Sequence, residues 1–201
     1  KVKKLRYMDG RMAAEVVTVV SIEDGVAIVQ INNPPVNAFN IHVHEGCMQA
    51  LKQCYENDQV IGCVIIGVGN YFVAGADIVE INALIDGREA VTENYLRNGH
   101  RLYNMVEQGT KPCVAAINGI CFGGGCELAM CCSHRVASNS AKLGLPEMQL
   151  GLIPGLGGTQ RCPRLIGFEQ AAKFILSSKI LKTEEANVCG LIDDIANDEQ
   201  D

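Results

Sequence analysis

Short apolar runs alternating with helix-compatible segments constrain this chain more than any other feature. "VVTVVSI" (16–22) and "VAIVQIN" (26–32) flank the turn residues Asp24 and Gly25 and predict a hairpin. "NPPVNAFN" (33–40) then has to be a loop, because its two prolines and three asparagines break both kinds of ladder. The apolar spacing predicts a helix from about 42 to 56, a strand over "VIGCVIIGV" (60–68) and a turn at Gly69-Asn70. A second helix is expected from about 88 to 107, then a buried strand at "CVAAI" (113–117). Helix returns after Gly125, a short strand follows at "HRVAS" (134–138), and the tail carries helices near 168–178 and 183–189. No internal repeat, low-complexity block or linker divides the chain. Alternation of this kind builds an α/β domain around a largely parallel sheet.

A chain of 201 residues, 48% of them hydrophobic, is enough for one domain with a substantial core. The net charge of -6 argues against nucleic acid or an anionic membrane as the main partner, since phosphate binding leans on clustered Lys and Arg. The ten cysteines are scattered without a CxxC pair and read as small buried hydrophobes of a reducing compartment, not as disulfides or a metal set. No apolar stretch reaches the roughly 18 residues of a membrane span, and no signal-peptide pattern opens the chain, so a soluble intracellular protein is expected. The basic stretch within residues 1–15 reads as a disordered leader, with Met12 a candidate native start and the domain running over 16–201. The final "DEQD" carries no peroxisomal address.

The usual nucleotide and hydrolase motifs are absent: there is no GxSxG, no HExxH and no Walker lysine. The four histidines, His42, His44, His100 and His134, stand apart and read as structural or solvent-exposed. Three irregular turns after strands remain: "FVAGADI" (72–78), "GICFGGGCELAM" (119–130) and "LGLPEMQLGLIPGLGGTQR" (143–161). In the second, glycines let the backbone approach a ligand and leave N–H groups free at a helix start, a place for negative charge on a substrate oxygen. Glu127 falls in the first turn of that helix, where the dipole favours its ionised form; the competing reading is a helix-start carboxylate with no further role. Glu147 is the only charge between Lys142 and Arg161, and is either an exposed loop residue or a partly desolvated acid with a raised pKa. Two such carboxyls could form the acid/base pair that adds water across a polarised double bond. Twenty positions separate them, so only the fold can bring them together.

Together "NPPVNAF", "FVAGADI", "KPCVAAINGICFGGGCELAMCC" and "LGLPEMQLGLIPGLGGTQRCPRLIG" resemble the enoyl-CoA hydratase/isomerase (crotonase) family in order and spacing, over about Val16 to Ile195. They look most like the hydratase domain of peroxisomal multifunctional β-oxidation proteins. The resemblance implies a crotonase-like α/β fold of repeated ββα units and a pocket for an acyl-CoA thioester. It implies hydration of trans-2-enoyl-CoA to 3-hydroxyacyl-CoA, with Δ3-Δ2-enoyl-CoA isomerisation or non-catalytic acyl-CoA binding as the alternatives. By motif position, Glu127 and Glu147 match the acid/base pair, and Ala76 and Gly124 would give the two N–H groups of an oxyanion hole. The backbone around Ala74, Ala76, Asp77 and Ile78 would line the CoA side. No metal or redox cofactor is implied, because the coenzyme A thioester is itself the substrate. Family domains continue past "GLIDDI" into a helical tail that closes the acyl pocket and supports trimer contacts, so here that tail is expected to be short or missing. A homotrimer or a place in a longer multifunctional chain are both compatible with the resemblance. Its compartment would be the peroxisome or glyoxysome, with mitochondrion and cytoplasm left open. Acyl chain length is not legible.

Overall fold

The computed structural model describes residues 16–87 and 89–196; the leader expected within 1–15 and the acidic end lie outside them. Strands β1 (Val17–Glu23) and β2 (Val26–Ile31) form the expected antiparallel hairpin around Asp24 and Gly25, both at positive φ. Helix α1 (Ile41–Glu56) starts where the Asn40 side chain accepts a hydrogen bond from the Val43 N–H at 3.0 Å, satisfying one of the free donors of a helix start. It buries Val43, Cys47, Leu51 and Cys54, the one-sided spacing of an amphipathic helix.

The chain then repeats one pattern. A strand of a long sheet is followed within a few residues by a short strand of a second sheet, and then by helix. The first turn is β3 (Gly62–Gly67), β4 (Tyr71–Val73), α2 (Ile78–Ile85) and α3 (Glu89–Glu107). The second is β5 (Cys113–Ile117), β6 (Ile120–Phe122) and α4 (Gly124–Cys131). The third is β7 (His134–Ser138), β8 (Lys142–Gly144), a 3-10 turn at Pro146–Leu150, α5 (Gly158–Ile166) and α6 (Phe168–Ser177). Strand β9 (Ile180–Lys182), α7 (Thr183–Val188) and β10 (Asp194–Ala196) complete the described elements. The long sheet runs β1-β2-β3-β5-β7-β10 and is parallel from β2 onward; the short one runs β4-β6-β8-β9, with only β8/β9 antiparallel. These are the repeated ββα units the sequence led us to expect.

The second sheet, α2 and α5 were not legible in the sequence. Strands of three residues are too short to show a period of two, and α5 carries a proline, Pro163, inside it. In the long sheet, Val29, Ile65, Ala115 and Arg135 stand in register across four strands, and all four are buried. Arg135 is tolerated there because Asp193 pairs with its guanidinium at 2.5 Å and the Cys132 carbonyl accepts from it at 2.8 Å. All ten cysteines are unpaired and nine are buried, as small apolar side chains would be. Among the described residues no helix is long and apolar enough to cross a membrane.

The corners between sheets place the site. Gly67 turns so sharply that a Cβ there would lie 1.9 Å from the Tyr71 carbonyl oxygen, so only glycine fits. The Asn118 side-chain amide donates to the Gly67 and Gly69 carbonyls at 2.9 and 2.6 Å. Asn37, of the "NPPVNAF" loop, donates to the carbonyls of Val68 and Tyr71 at 3.1 and 2.8 Å. Two asparagines thus satisfy the backbone that leaves the ladder at this corner.

Candidate active site

The ends of β4 and β6 and the turn after β8 open on one cavity of ≈ 380 Å³. Ala74, Gly75 and Ala76 line it after β4, Gly123, Gly124 and Glu127 after β6, and Pro146 and Glu147 after β8. The three segments singled out in the sequence therefore meet at one place.

Ala76 is held by a single parallel bridge to Phe39. The Phe39 N–H donates to the Gly75 carbonyl at 2.8 Å, and the Asp77 N–H donates to the Phe39 carbonyl at 2.7 Å. That pairing uses the groups on either side of Ala76 and leaves its own N–H unspent. Gly124 is the first residue of α4, so its N–H has no acceptor within the helix. Its carbonyl accepts a hydrogen bond from the fully buried hydroxyl of Tyr103, which fixes the peptide plane on the far side of the residue. Two residues with unspent N–H groups, Ala76 and Gly124, thus line the same cavity.

Glu127 lies in the first turn of α4 and is 2% exposed. Its Oε1 accepts from the N–H groups of Leu156 at 2.8 Å and Gly158 at 2.7 Å, and the residue lines the cavity. A Cβ on residue 158 would lie 2.9 Å from that oxygen, so a larger residue there would push the carboxylate from its place. Burial raises the Glu127 pKa, opposed by the Gly158 and Leu156 N–H groups and by the Arg161 charge. The sequence suggested a carboxylate kept ionised by the helix dipole; desolvation outweighs that influence, and the net direction is upward. Arg161 steadies the loop: it donates to the Leu156 carbonyl at 2.9 Å and to Glu107 at 3.2 and 2.7 Å.

Glu147 sits in the 3-10 turn, and its buried Oε2 has no hydrogen-bond partner. Burial pushes its pKa up to about 7, its own backbone N–H lowers it, and the Glu127 charge raises it further. Of the two sequence readings, the desolvated acid is the one the structure contains.

Asp77 is placed outside the cavity lining. Its carboxylate accepts from the Val79 N–H at 2.9 Å and caps α2, which Ile78 opens. Sequence reasoning passed over Tyr103, the Leu156 and Gly158 donors, and the Arg161–Glu107 pair. Arg161 had a signal: it is the charge that ends the apolar run around Glu147. The others act through backbone groups or buried hydroxyls, which leave no pattern. His44 is fully buried with neither ring nitrogen bonded, among the rings of Phe39, Tyr95 and Tyr103, and burial lowers its pKa to about 4.

The family described as enoyl-CoA hydratase/isomerase matches residues 21–200, and the chain belongs to it. The glyoxysomal fatty acid beta-oxidation multifunctional protein MFP-a of Cucumis sativus is 40% identical over 191 residues, covering 95% of this chain and 26% of the relative. The probable enoyl-CoA hydratase of Bacillus subtilis (strain 168) is 40% identical over 179 residues, 89% of this chain and 69% of the relative. The solved enoyl-CoA hydratase from Bacillus anthracis superposes with a TM-score of 0.85 at 34% identity, over 90% of this chain and 70% of that one. The chain spans about a quarter of the length of its multifunctional relative.

Proposed function

We propose that this chain hydrates trans-2-enoyl-CoA thioesters to 3-hydroxyacyl-CoA. The observation that carries the reading is the meeting of two carboxyls, Glu127 and Glu147, with two unspent N–H groups, Ala76 and Gly124, at one largely apolar cavity. With the thioester oxygen on the two N–H groups, electron density drawn toward it leaves C3 open to attack. Glu127 takes a proton from water as the C3–O bond forms, and the C2=C3 electrons move to the thioester oxygen as an enolate. Glu147, protonated near neutral pH, gives its proton to C2, and the enolate collapses back to the thioester. The next water carries a proton from Glu127 back to Glu147, so the cycle consumes one water.

In this reading Ala74 and the backbone leading to Asp77 and Ile78 flank the CoA side, and no metal or redox cofactor is called for. Likeness to plant multifunctional proteins supports a place in fatty-acid β-oxidation, in a peroxisome or glyoxysome, as part of a longer chain. Mixing the protein with crotonyl-CoA and following the conjugated thioester absorbance tests the reading: steady loss is expected. Binding without turnover would leave an acyl-CoA-binding protein. Isomerisation of a 3-enoyl-CoA without hydration would leave an isomerase.

A further inference from the structure

Only three polar side chains line the cavity among the described residues: Glu127, Glu147 and Tyr95. The proposed chemistry uses the first two. Tyr95 comes from α3, lines the cavity and is 5% exposed, and its hydroxyl has no hydrogen-bond partner among the described residues. Its ring is packed against that of His44, centroids 4.9 Å apart, which limits where the hydroxyl can point. Burial holds the phenol protonated well above its ordinary range, and the Glu127 charge is the largest contribution from any neighbouring group. A hydroxyl on a cavity wall with no acceptor among the described residues is left free to donate to whatever occupies the cavity.

The hydrogen-bond count of the reaction supplies that acceptor. A water held between two carboxyls directs its two protons to them. One lone pair attacks C3, and the other is left over. With Glu127 accepting from the water and the Glu147 proton aimed at C2, neither carboxyl serves that lone pair, and the surrounding side chains, among them Ile81, Leu96 and Leu156, are apolar. From these placements we infer that the Tyr95 hydroxyl donates to the oxygen that adds to C3: the attacking water before the step, the 3-hydroxyl after it. The contact aims the free lone pair at C3, and in the reverse direction it stabilises the departing hydroxide. This deepens the hydratase reading and rests on it.

Tyr95→Phe keeps the ring against His44 and removes only the donor, and its melting temperature checks that the fold is intact. Two measurements apply to it. The ratio of crotonyl-CoA hydration to 3-hexenoyl-CoA isomerisation should fall at least roughly tenfold, the scale of one hydrogen bond to a reacting group, because isomerisation uses no water. The preference for 3-hydroxybutyryl-CoA over butyryl-CoA in equilibrium binding should fall by a similar factor. A packing role for Tyr95 would lower both rates together and leave both ratios unchanged, which overturns the inference. If the wild-type protein hydrates nothing, the hydratase reading falls and the binding ratio alone decides the role of Tyr95. A wild-type protein that binds the two acyl-CoAs equally overturns it without any variant.

Discussion

The two carboxyls of the cavity sit in walls of different build. Glu127 stands on a helix start, its Oε1 fixed by two backbone N–H groups from a loop that is itself pinned by Arg161. Glu147 stands on a single 3-10 turn, with one oxygen buried and unpartnered. The difference teaches how one cavity obtains two roles from one residue type. A carboxyl with firm donors keeps a preferred orientation, and those donors offset part of what burial does to its pKa. One that is merely desolvated becomes an acid that titrates near neutrality. The helix-borne group suits proton acceptance, and the turn-borne group suits proton donation to carbon.

Removing either carboxyl breaks the comparison outright. Glu127→Gln and Glu147→Gln should each slow hydration by ~10²–10⁴, while substrate binding changes much less. The double variant should lose little more than either single one, because the two act as a unit. Steady-state kinetics with a 3-enoyl-CoA sharpens the assignment: Glu147→Gln should abolish isomerisation as well, and Glu127→Gln should damage it less than hydration. Intact hydration in Glu127→Gln beside lost isomerisation in Glu147→Gln would replace the hydratase with an isomerase.

The next effect tests the donors that both carboxyls depend on. Proline at residue 124 fits the first position of a helix but has no N–H, so Gly124→Pro should lower kcat by ~10²–10³. Full activity in a folded Gly124→Pro protein would take Gly124 out of the oxyanion role. A smaller loss is expected from Arg161→Met, which frees the Leu156 carbonyl and with it the loop that grips Glu127. Misplacement of that group should cost about tenfold in kcat, with KM little changed. Glu147 rests on another turn and feels the change only through the Glu127 charge, so its titration in the pH–rate profile should move little.

The smallest effects are in pH dependence. Since Glu147 acts as an acid with a pKa of about 7, kcat/KM should decline as pH rises through that value. Stability carries the same sign. The folded pKa is raised above the ordinary 4.5, so the native state binds more protons than the unfolded one between 4.5 and about 7. Its relative stability is therefore fully present below the lower value and lost as pH rises through the upper one. Glu147→Gln should accordingly melt a few degrees higher than wild type above neutrality, with the difference vanishing at acid pH. A constant difference across pH would mean that Glu147 is not desolvated in the native protein.

The long elements were readable because their signals are local. The hairpin turn at Asp24-Gly25, the one-sided spacing of α1 and the apolar runs of β3 and β5 each state their own conformation. The three-residue strands of the second sheet do not; their pairing partners lie dozens of residues away. The site shows the same division. Glycines beside Glu127 and the isolated Glu147 marked two places where chemistry was worth seeking, and the family resemblance joined them.

The sequence by itself determined the α/β class, the candidate carboxyls and the glycines that allow backbone to meet substrate, because conformational preference and charge belong to single residues. Only the tertiary structure decided that Leu156 and Gly158 hold Glu127, that Glu147 is buried without a partner, and that Tyr95 faces the cavity. Each of these depends on how much water and which distant donors surround a group. Both are set by segments far apart in the chain, and no local pattern encodes them.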